Sequence, residues 1–559
     1  MKEQASLGAL VNAADQRPAL RRAVQELSGT GLLKAILELP NARQVVQELA
    51  PTDFFWLVKQ IGEEDSLPLL ELASTEQWQH LVDLEVWRRD RIHLDDMNSW
   101  IKRLHGADPE RLALWLMQKD DLLAGFLLNR LLDVTVRDHD TDEVPDGFFS
   151  LDGVYYLRVR DPQQEDWIRE LMADMARLDY GGYQRLLLGM LEYLPSEAEE
   201  ELYRLRNVRL AEKGFLPWEE AQQVYAPLGP EAVMQKTPEV ARALTLADED
   251  RDLVPMIPLE QGHIGGLLAR SLEGIQDPIV LDRIRLEFAG LVNQILSAEG
   301  VPVNDLEVMG RACRRAASYL NLALERLSLG NLFKAGELVA EVALVSLFRV
   351  GYAMALNLGW KARRWVQGSW FRKMGLKPGF WGESWGSSLE GLLRKRPARF
   401  CGVDQAEDFR DFIHLEELEE ASRILERLRI LDSLLESLVE RYPLEPGLLA
   451  HPEATFHPLI FNLWGACMLG REGSISAMEL GDAMKFLRLL RSKDRRAPYK
   501  MPGFEKEFVK FFLEHVPEKD RELLSQTMSI IWREFRDEYE RIPLEGLNAK
   551  FSRLIRIRA

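Results

Sequence analysis

From Leu39 to Trp87 the apolar positions come in short clusters: Val45, Val46 and Leu49; Leu57, Val58 and Ile61; Leu69, Leu70 and Leu72; Leu81, Val82 and Leu84. Most clusters have helical spacing, and a polar or Pro-bearing restart separates each from the next. Restarts are signalled by Pro51-Thr52-Asp53, Glu64-Asp65-Ser66 and Ser74-Thr75-Glu76-Gln77. The last has the form of a capping box, in which Ser74 and Gln77 each satisfy an orphan backbone N–H. Asp108-Pro109-Glu110 then opens a helix with Asp as N-cap and Pro at the first helical position. Helices of about ten residues are marginal alone, so this pattern predicts a superhelix in which each short helix is held by its neighbours.

The stretch from Asp133 to Asp146 is rich in carboxylates and reads as a loop. Asp152-Gly153, between apolar and β-branched runs, predicts one hairpin near Phe148 to Arg160 with a type I′ turn. Helical periodicity then returns. Ser196 to Glu199, Pro217-Trp218 and Asp277-Pro278 signal helix starts, and Leu306 to about Trp365 is the longest regular stretch, interrupted at Gly330-Asn331. Around that interruption Ala323 and Ala335 give a likeness to a single tetratricopeptide hairpin. Gly359 to Phe400 reads as a looser boundary segment, Asp404 to Tyr442 as a charged helix, and the remainder as amphipathic helices over Ile475 to Arg491, Phe504 to His515 and Asp520 to Arg541.

The fold class expected is therefore mainly α: a superhelix of short helices followed by longer helical bundles, with one small β-hairpin. The organisation expected is a short-helix repeat region over 1–132, an acidic loop and hairpin over 133–160, a helical region over 161–275, a helical-hairpin region ending in a Trp-rich basic segment over 276–400, and a C-terminal helical region over 401–559.

Charge and cysteine usage narrow the chemistry. A net charge of −18 over 559 residues disfavours general binding to nucleic-acid backbones. Cys313, Cys401 and Cys467 lie far apart and form no CxxC, which fits a reducing cytoplasm and neither a disulfide framework nor a zinc module. The amino-terminal sequence has no uninterrupted apolar core, so export is not expected. Val342 to Trp360 is apolar, but Arg349 at its centre would cost about 2.5–3.5 kcal/mol in a bilayer, so a buried helix is expected and membrane insertion is not.

The most distinctive candidate runs from Trp360 to Phe400. Trp360, Trp365, Trp370, Trp381 and Trp385 mingle with Lys361, Arg363, Arg364, Arg372, Lys373, Lys377, Arg394, Lys395, Arg396 and Arg399, against only Glu383 and Glu390. Exposed, such a segment suits a polyanion or an anionic membrane surface; buried, its tryptophans are core and its cations meet the protein's own acids. Asp138, Asp140 and Asp142 are a weak candidate for a hard cation, because Glu143 stands where an EF-hand needs glycine and Phe149 where it needs glutamate. Gly262-His263-Ile264-Gly265-Gly266 precedes an apolar run but matches no phosphate-loop pattern. His451, His457 and Cys467 lack zinc-ligand spacing, and His457 beside Pro458 reads as a loop residue. Trp56, Trp78, Trp87 and Trp100 read as inter-helix packing, and Trp87 to Arg91 as a source of ion pairs to the next helix.

The segments TDFFWLVKQIGEEDSLPLLELASTEQWQHLVDLEVWRRDRI from Thr52, LDGVYYLRV from Leu151, RLRNVRLAEKGFLPWEEAQQVYAPL from Arg204 and RACRRAASYLNLALERLS from Arg311 carry a resemblance. Through them the chain resembles, over essentially its full length, a bacterial family known only as a domain of unknown function, which implies no activity. The first segment is also similar in style to the intracellular helical domain of MgtE-type magnesium transporters, without their pore.

No catalytic motif and no cofactor signature is present, so the expectation is a non-enzymatic, cytoplasmic interaction, scaffolding or regulatory protein with protein partners. The alternatives are a ligand-binding protein or enzyme with a site assembled between helical modules, and a polyanion or membrane-surface binder acting through residues 360–400.

Overall fold

Ser74 Oγ accepts the Gln77 N–H at 3.2 Å while Gln77 Oε1 accepts the Ser74 N–H at 2.8 Å, so the capping box forms as its spacing predicts. The structure is a computed structural model. It describes residues 20–558 apart from 21–22, 25, 89, 137–145, 192–194, 239, 246–253, 263–264, 301–304, 403–406, 452–453, 472 and 493–496. The chain is mainly α-helical with a few short antiparallel strand pairs, and it divides into two compact units, Met1–Val350 and Gly351–Ala559.

The first unit carries helices α1 (Gly29–Leu37), α2 (Ala42–Gln47), α3 (Pro51–Ile61), α4 (Leu67–Leu72), α5 (Thr75–Glu85) and α6 (Leu94–Ala107). Each packs on the next but one: α1 on α3, α2 on α4, α3 on α5, α4 on α6. With α7 (Pro109–Gln118), α8 (Asp121–Leu131), α9 (Glu165–Leu178) and α10 (Tyr180–Leu191) the rule resumes, α7 on α9 and α8 on α10. The predicted apolar clusters are the contacts: all their residues are buried except Leu72, which is half-buried. Burying each such side chain contributes about 1.5–3 kcal/mol, which offsets the marginal stability of helices this short. Trp56, Trp78 and Trp100 are buried among them, and Arg88 reaches Asp96 on the following helix at 3.0 Å.

Several local expectations are corrected by long-range contacts. Asp53, read as part of the start of its own helix, is buried and accepts the backbone N–H groups of Met256 and Ile257. Ser196 to Glu199 lie inside α11 (Pro195–Ala211) and do not cap it; Glu199 instead accepts from Arg91 and from the Ile92 N–H. Residues 133–136, read as loop, belong to strand Leu132–Val136, which pairs with Tyr155–Val159 along its whole length. Phe149–Ser150 joins the other edge of Tyr155–Val159. The hairpin is present, but its connection is longer than a two-residue turn. Asp152 Oδ1 accepts the N–H groups of Val154 and Tyr155, both at 2.9 Å, and only Gly153 takes a positive φ, +75°.

The regular stretch after Leu306 is broken twice, into Leu306–Ser328, Leu332–Glu341 and Leu344–Gly368. Ala323 and Ala335 are fully buried on either side of the first break. The second break, at Val342-Ala343, carries no Gly or Pro. There residues 241–243 run alongside, with Ala343 N–H donating to Ala241 O at 3.2 Å. Arg283, from helix Pro278–Glu299, donates to Val339 O and Ala340 O at one side of the break, and Glu287 accepts the Leu344 N–H at the other. Arg349 is part of a buried helical surface and donates to Ala226 O at 2.8 Å.

In the second unit the helix persists to Gly368, past the predicted loosening at Gly359. The charged helix begins at Leu415 rather than Asp404, because Phe409–Arg410 pairs with Arg399–Phe400 as a short ribbon. Helices His457–Met468, Leu480–Leu490, Phe504–Leu513 and Arg521–Tyr539 enclose an aromatic core in which Trp464, Phe508, Trp532 and Phe535 meet at centroid distances of 5.1–5.6 Å. The C-terminal segment is tied in: Arg558 N–H donates to Met478 O, and Ile555 and Ile557 are buried.

Candidate functional site

The Trp-rich basic segment separates into an aromatic interior and a cationic exterior. Trp381 is buried between Trp365, Phe371, Phe380 and Phe456, with centroid distances of 5.2–6.3 Å. Trp370 is buried against Phe380, and Trp385 lies half-buried and parallel to Phe456 at 6.1 Å. The cluster is anchored by Asp432, whose carboxylate accepts the N–H groups of Trp370 and Phe371 at 3.1 and 2.8 Å and so caps the short helix Trp370–Lys373. Burial pushes the Asp432 carboxyl above its ordinary range, against the pull of those two N–H groups. Four of the five tryptophans are therefore packing elements. Trp360 is the exception, 46 % exposed.

Trp360, Lys361 and Arg364 are exposed on helix Leu344–Gly368, with Arg364 four residues from Trp360 and three from Lys361. Segment 392–397 comes against that helix where Gly359 leaves room: a Cβ on Gly359 would stand 2.5 Å from Pro397 Cγ and 3.0 Å from Leu392 O. Arg363 donates to the carbonyls of Arg394 and Lys395. Arg363 thereby joins the backbone of Arg394 and Lys395 to the helix that carries Trp360, Lys361 and Arg364, and none of these five cations makes an ion pair among the described residues. Arg394 lies over the Phe409 ring at 3.6 Å. Other cations of the segment do find acids. Lys373 meets Glu436 at 2.9 Å, a hydrogen bond that raises the pKa of its ammonium, and Arg399 meets Glu417 and Glu420. Arg372 and Lys377 are exposed and unpaired among the described residues.

Glu417 marks the boundary between structural and free charge. It accepts from Arg399 and Arg410 at 2.6 Å and from the Ile413 N–H at 2.8 Å. Burial alone would raise its pKa, but these partners outweigh burial and hold it at about 2.

Asp138, Asp140 and Asp142 lie outside the described residues, as does His263. Among the described residues no group of three or more His, Cys, Asp or Glu side chains is placed to hold a metal ion. The N–H groups of Leu267 and Leu268, which the glycine-rich stretch would aim at a phosphate, are accepted by Asn321 Oδ1 at 2.9 and 3.1 Å. His457 is not a loop residue: it opens helix His457–Met468, buried against Phe456 with Nε2 3.3 Å from Glu534. Cys313 is buried and unpaired, which pushes its thiol well above the ordinary range. Trp87 is half-buried against Tyr203, with Arg206 over its ring.

Sequence reasoning did not find a groove of about 280 Å³ in the first unit, between Met117, Asp121, Leu122 and Gly125 on one side and Gly182, Arg185, Leu186, Gly189 and Met190 on the other. Its only sequence signal is the seven-residue spacing of Gly182 and Gly189, which puts two side-chain-free positions on one face of α10.

Among the described residues no helix is long and apolar enough to cross a membrane. No curated protein and no solved structure matches the chain. Residues 11–558 match the Family of unknown function (DUF6178), and the chain belongs to that family.

Proposed function

We propose that this is a non-enzymatic, cytoplasmic protein-interaction or scaffolding protein, which binds a protein partner through the surface around Trp360. The observation that carries the reading is that Lys361, Arg363, Arg364, Arg394 and Lys395, on the exposed Trp360 helix and the segment joined to it by Arg363, make no ion pair among the described residues, in a chain of net charge −18. Elsewhere buried acids are consumed in docking helices, as Asp53 and Asp432 are, so an uncompensated cationic cluster stands out against the way this protein uses charge. Tryptophan and arginine are also the residues that most often dominate binding energy at protein interfaces. Affinity purification of the tagged protein from its native cells, after crosslinking, should yield one partner in stoichiometric amount. Recovery of the protein alone overturns the reading.

The ligand-binding alternative has one observation in its favour, the groove beside Gly125 and Gly182, with the Asp121 carboxylate and the Arg185 guanidinium among its lining residues. Native mass spectrometry of the purified protein tests it: a bound small molecule lost on substituting Gly182 by Leu supports this reading, and a bare mass contradicts it.

A further inference from the structure

We infer that the partner engaged at Trp360 presents an acidic polypeptide segment, rather than a nucleic acid or a lipid surface. This rests on the protein-interaction reading above and specifies its chemistry. Three observations select among anions. Single-strand binding needs several exposed aromatic faces, whereas Trp365, Trp370, Trp381 and Trp385 are engaged in ring packing and only Trp360 is free to stack. A helix that lies in a membrane interface needs a continuous apolar face turned outward. The apolar face of Leu344–Gly368 is turned inward, with Ala355, Leu358 and Ala362 buried, and its exposed stripe of Asn357, Trp360, Lys361, Arg364 and Gln367 carries one large apolar side chain. Extended polyanions and anionic bilayers also meet the repulsion of the whole −18 chain, whereas a short acidic segment meets only the local field.

The surface has a use for both parts of such a segment. Carboxylates would pair with Lys361, Arg364 and Lys395, whose charges have no partner among the described residues, and an apolar side chain of the segment would cover Trp360. These cations pair with no acid among the described residues, so removing their charge should not lower stability.

The test uses the full chain and three probes: a fluorescein-labelled oligoglutamate peptide containing leucine, phosphatidylserine vesicles, and oligothymidylate. The wild type should bind the peptide in preference to the other two, more weakly as salt rises. The variant Lys361→Glu/Arg364→Glu/Lys395→Glu and the milder Lys361→Gln/Arg364→Gln/Lys395→Gln should each lose about tenfold or more in peptide affinity while melting no lower than wild type. Peptide binding unchanged in both variants, no peptide binding by the wild type, or preference for vesicles or oligothymidylate overturns the inference. The two readings fail separately: a native partner that stays with the charge-reversed variant refutes the acidic-segment assignment alone, whereas a wild-type protein that recovers no partner refutes the interaction reading itself.

Discussion

Asp53, on helix α3, accepts the backbone N–H of Ile257 at 3.0 Å across 204 residues of sequence, and that of Met256 at 2.8 Å. An acid on one helix thus supplies the N-terminal cap that helix Ile257–Gln261 does not carry itself. Asn321 does the same for Leu267–Glu273, and Asp432 takes the first two N–H groups of Trp370–Lys373, beside that helix's own cap from Ser369 to the Arg372 N–H. Short helices here are fastened end-on by side chains from elsewhere in the fold as well as side-on by apolar packing.

Removing that cap should be costly. Asp53→Ala leaves two buried N–H groups without acceptors, about 1–3 kcal/mol each. Burial pushes the Asp53 carboxyl up to about 7 in the fold, from an ordinary value of 3.8. A raised acid contributes its full stability below the unfolded value and loses it as pH rises through the folded one. Urea unfolding should therefore show a larger penalty for Asp53→Ala near pH 4 than near pH 8, and a penalty that is the same at both contradicts this account.

His80 works in the opposite sense. Fully buried between Phe55 and Phe215 and near Lys213, it has a pKa lowered from 6.5 to about 3, chiefly by desolvation. Its contribution is intact above 6.5 and lost as pH falls toward 3, on the order of several kcal/mol in all. His80→Phe should flatten the decline in melting temperature between neutral pH and about pH 5, relative to wild type. An unaltered acid limb in the variant would place the sensitivity elsewhere.

Glu417 should stabilise the second unit above the ordinary glutamate value of 4.5 and lose that effect as pH falls to about 2, since its folded pKa is depressed. Glu417→Gln leaves the Arg399 and Arg410 guanidiniums short of a carboxylate, and should cost about 2–3 kcal/mol at neutral pH. Its difference from wild type should shrink on acidification, as read from denaturant midpoints measured across that range.

Gly359 sets the spacing between the Trp360 helix and the segment that carries Arg394 and Lys395. Gly359→Val should displace that segment, disperse the cationic cluster and weaken capture of the native partner while the helical circular dichroism is retained. Full partner binding in this variant would show that the juxtaposition is not required.

What the sequence settled by itself was everything carried by neighbours a few residues apart. The capping box at Ser74, the Asp108 and Asp277 caps and the apolar clusters of the first helices are local, because a side chain two or three positions away satisfies an N–H whatever the rest of the chain does. The mainly α fold followed from them. Tertiary structure decided what a period cannot express. It broke a helix at Val342-Ala343 by inserting residues 241–243, turned Asp53 from a local signal into a distant cap, and packed four tryptophans of a basic segment against other rings while leaving Trp360 outside. The candidate surface was legible as composition, since ten cations among forty residues are visible in any listing of the chain. Which of those cations are neutralised, and which find no acid among the described residues, depends on chain segments meeting across 18 residues or more, and that pairing is fixed only when the core closes.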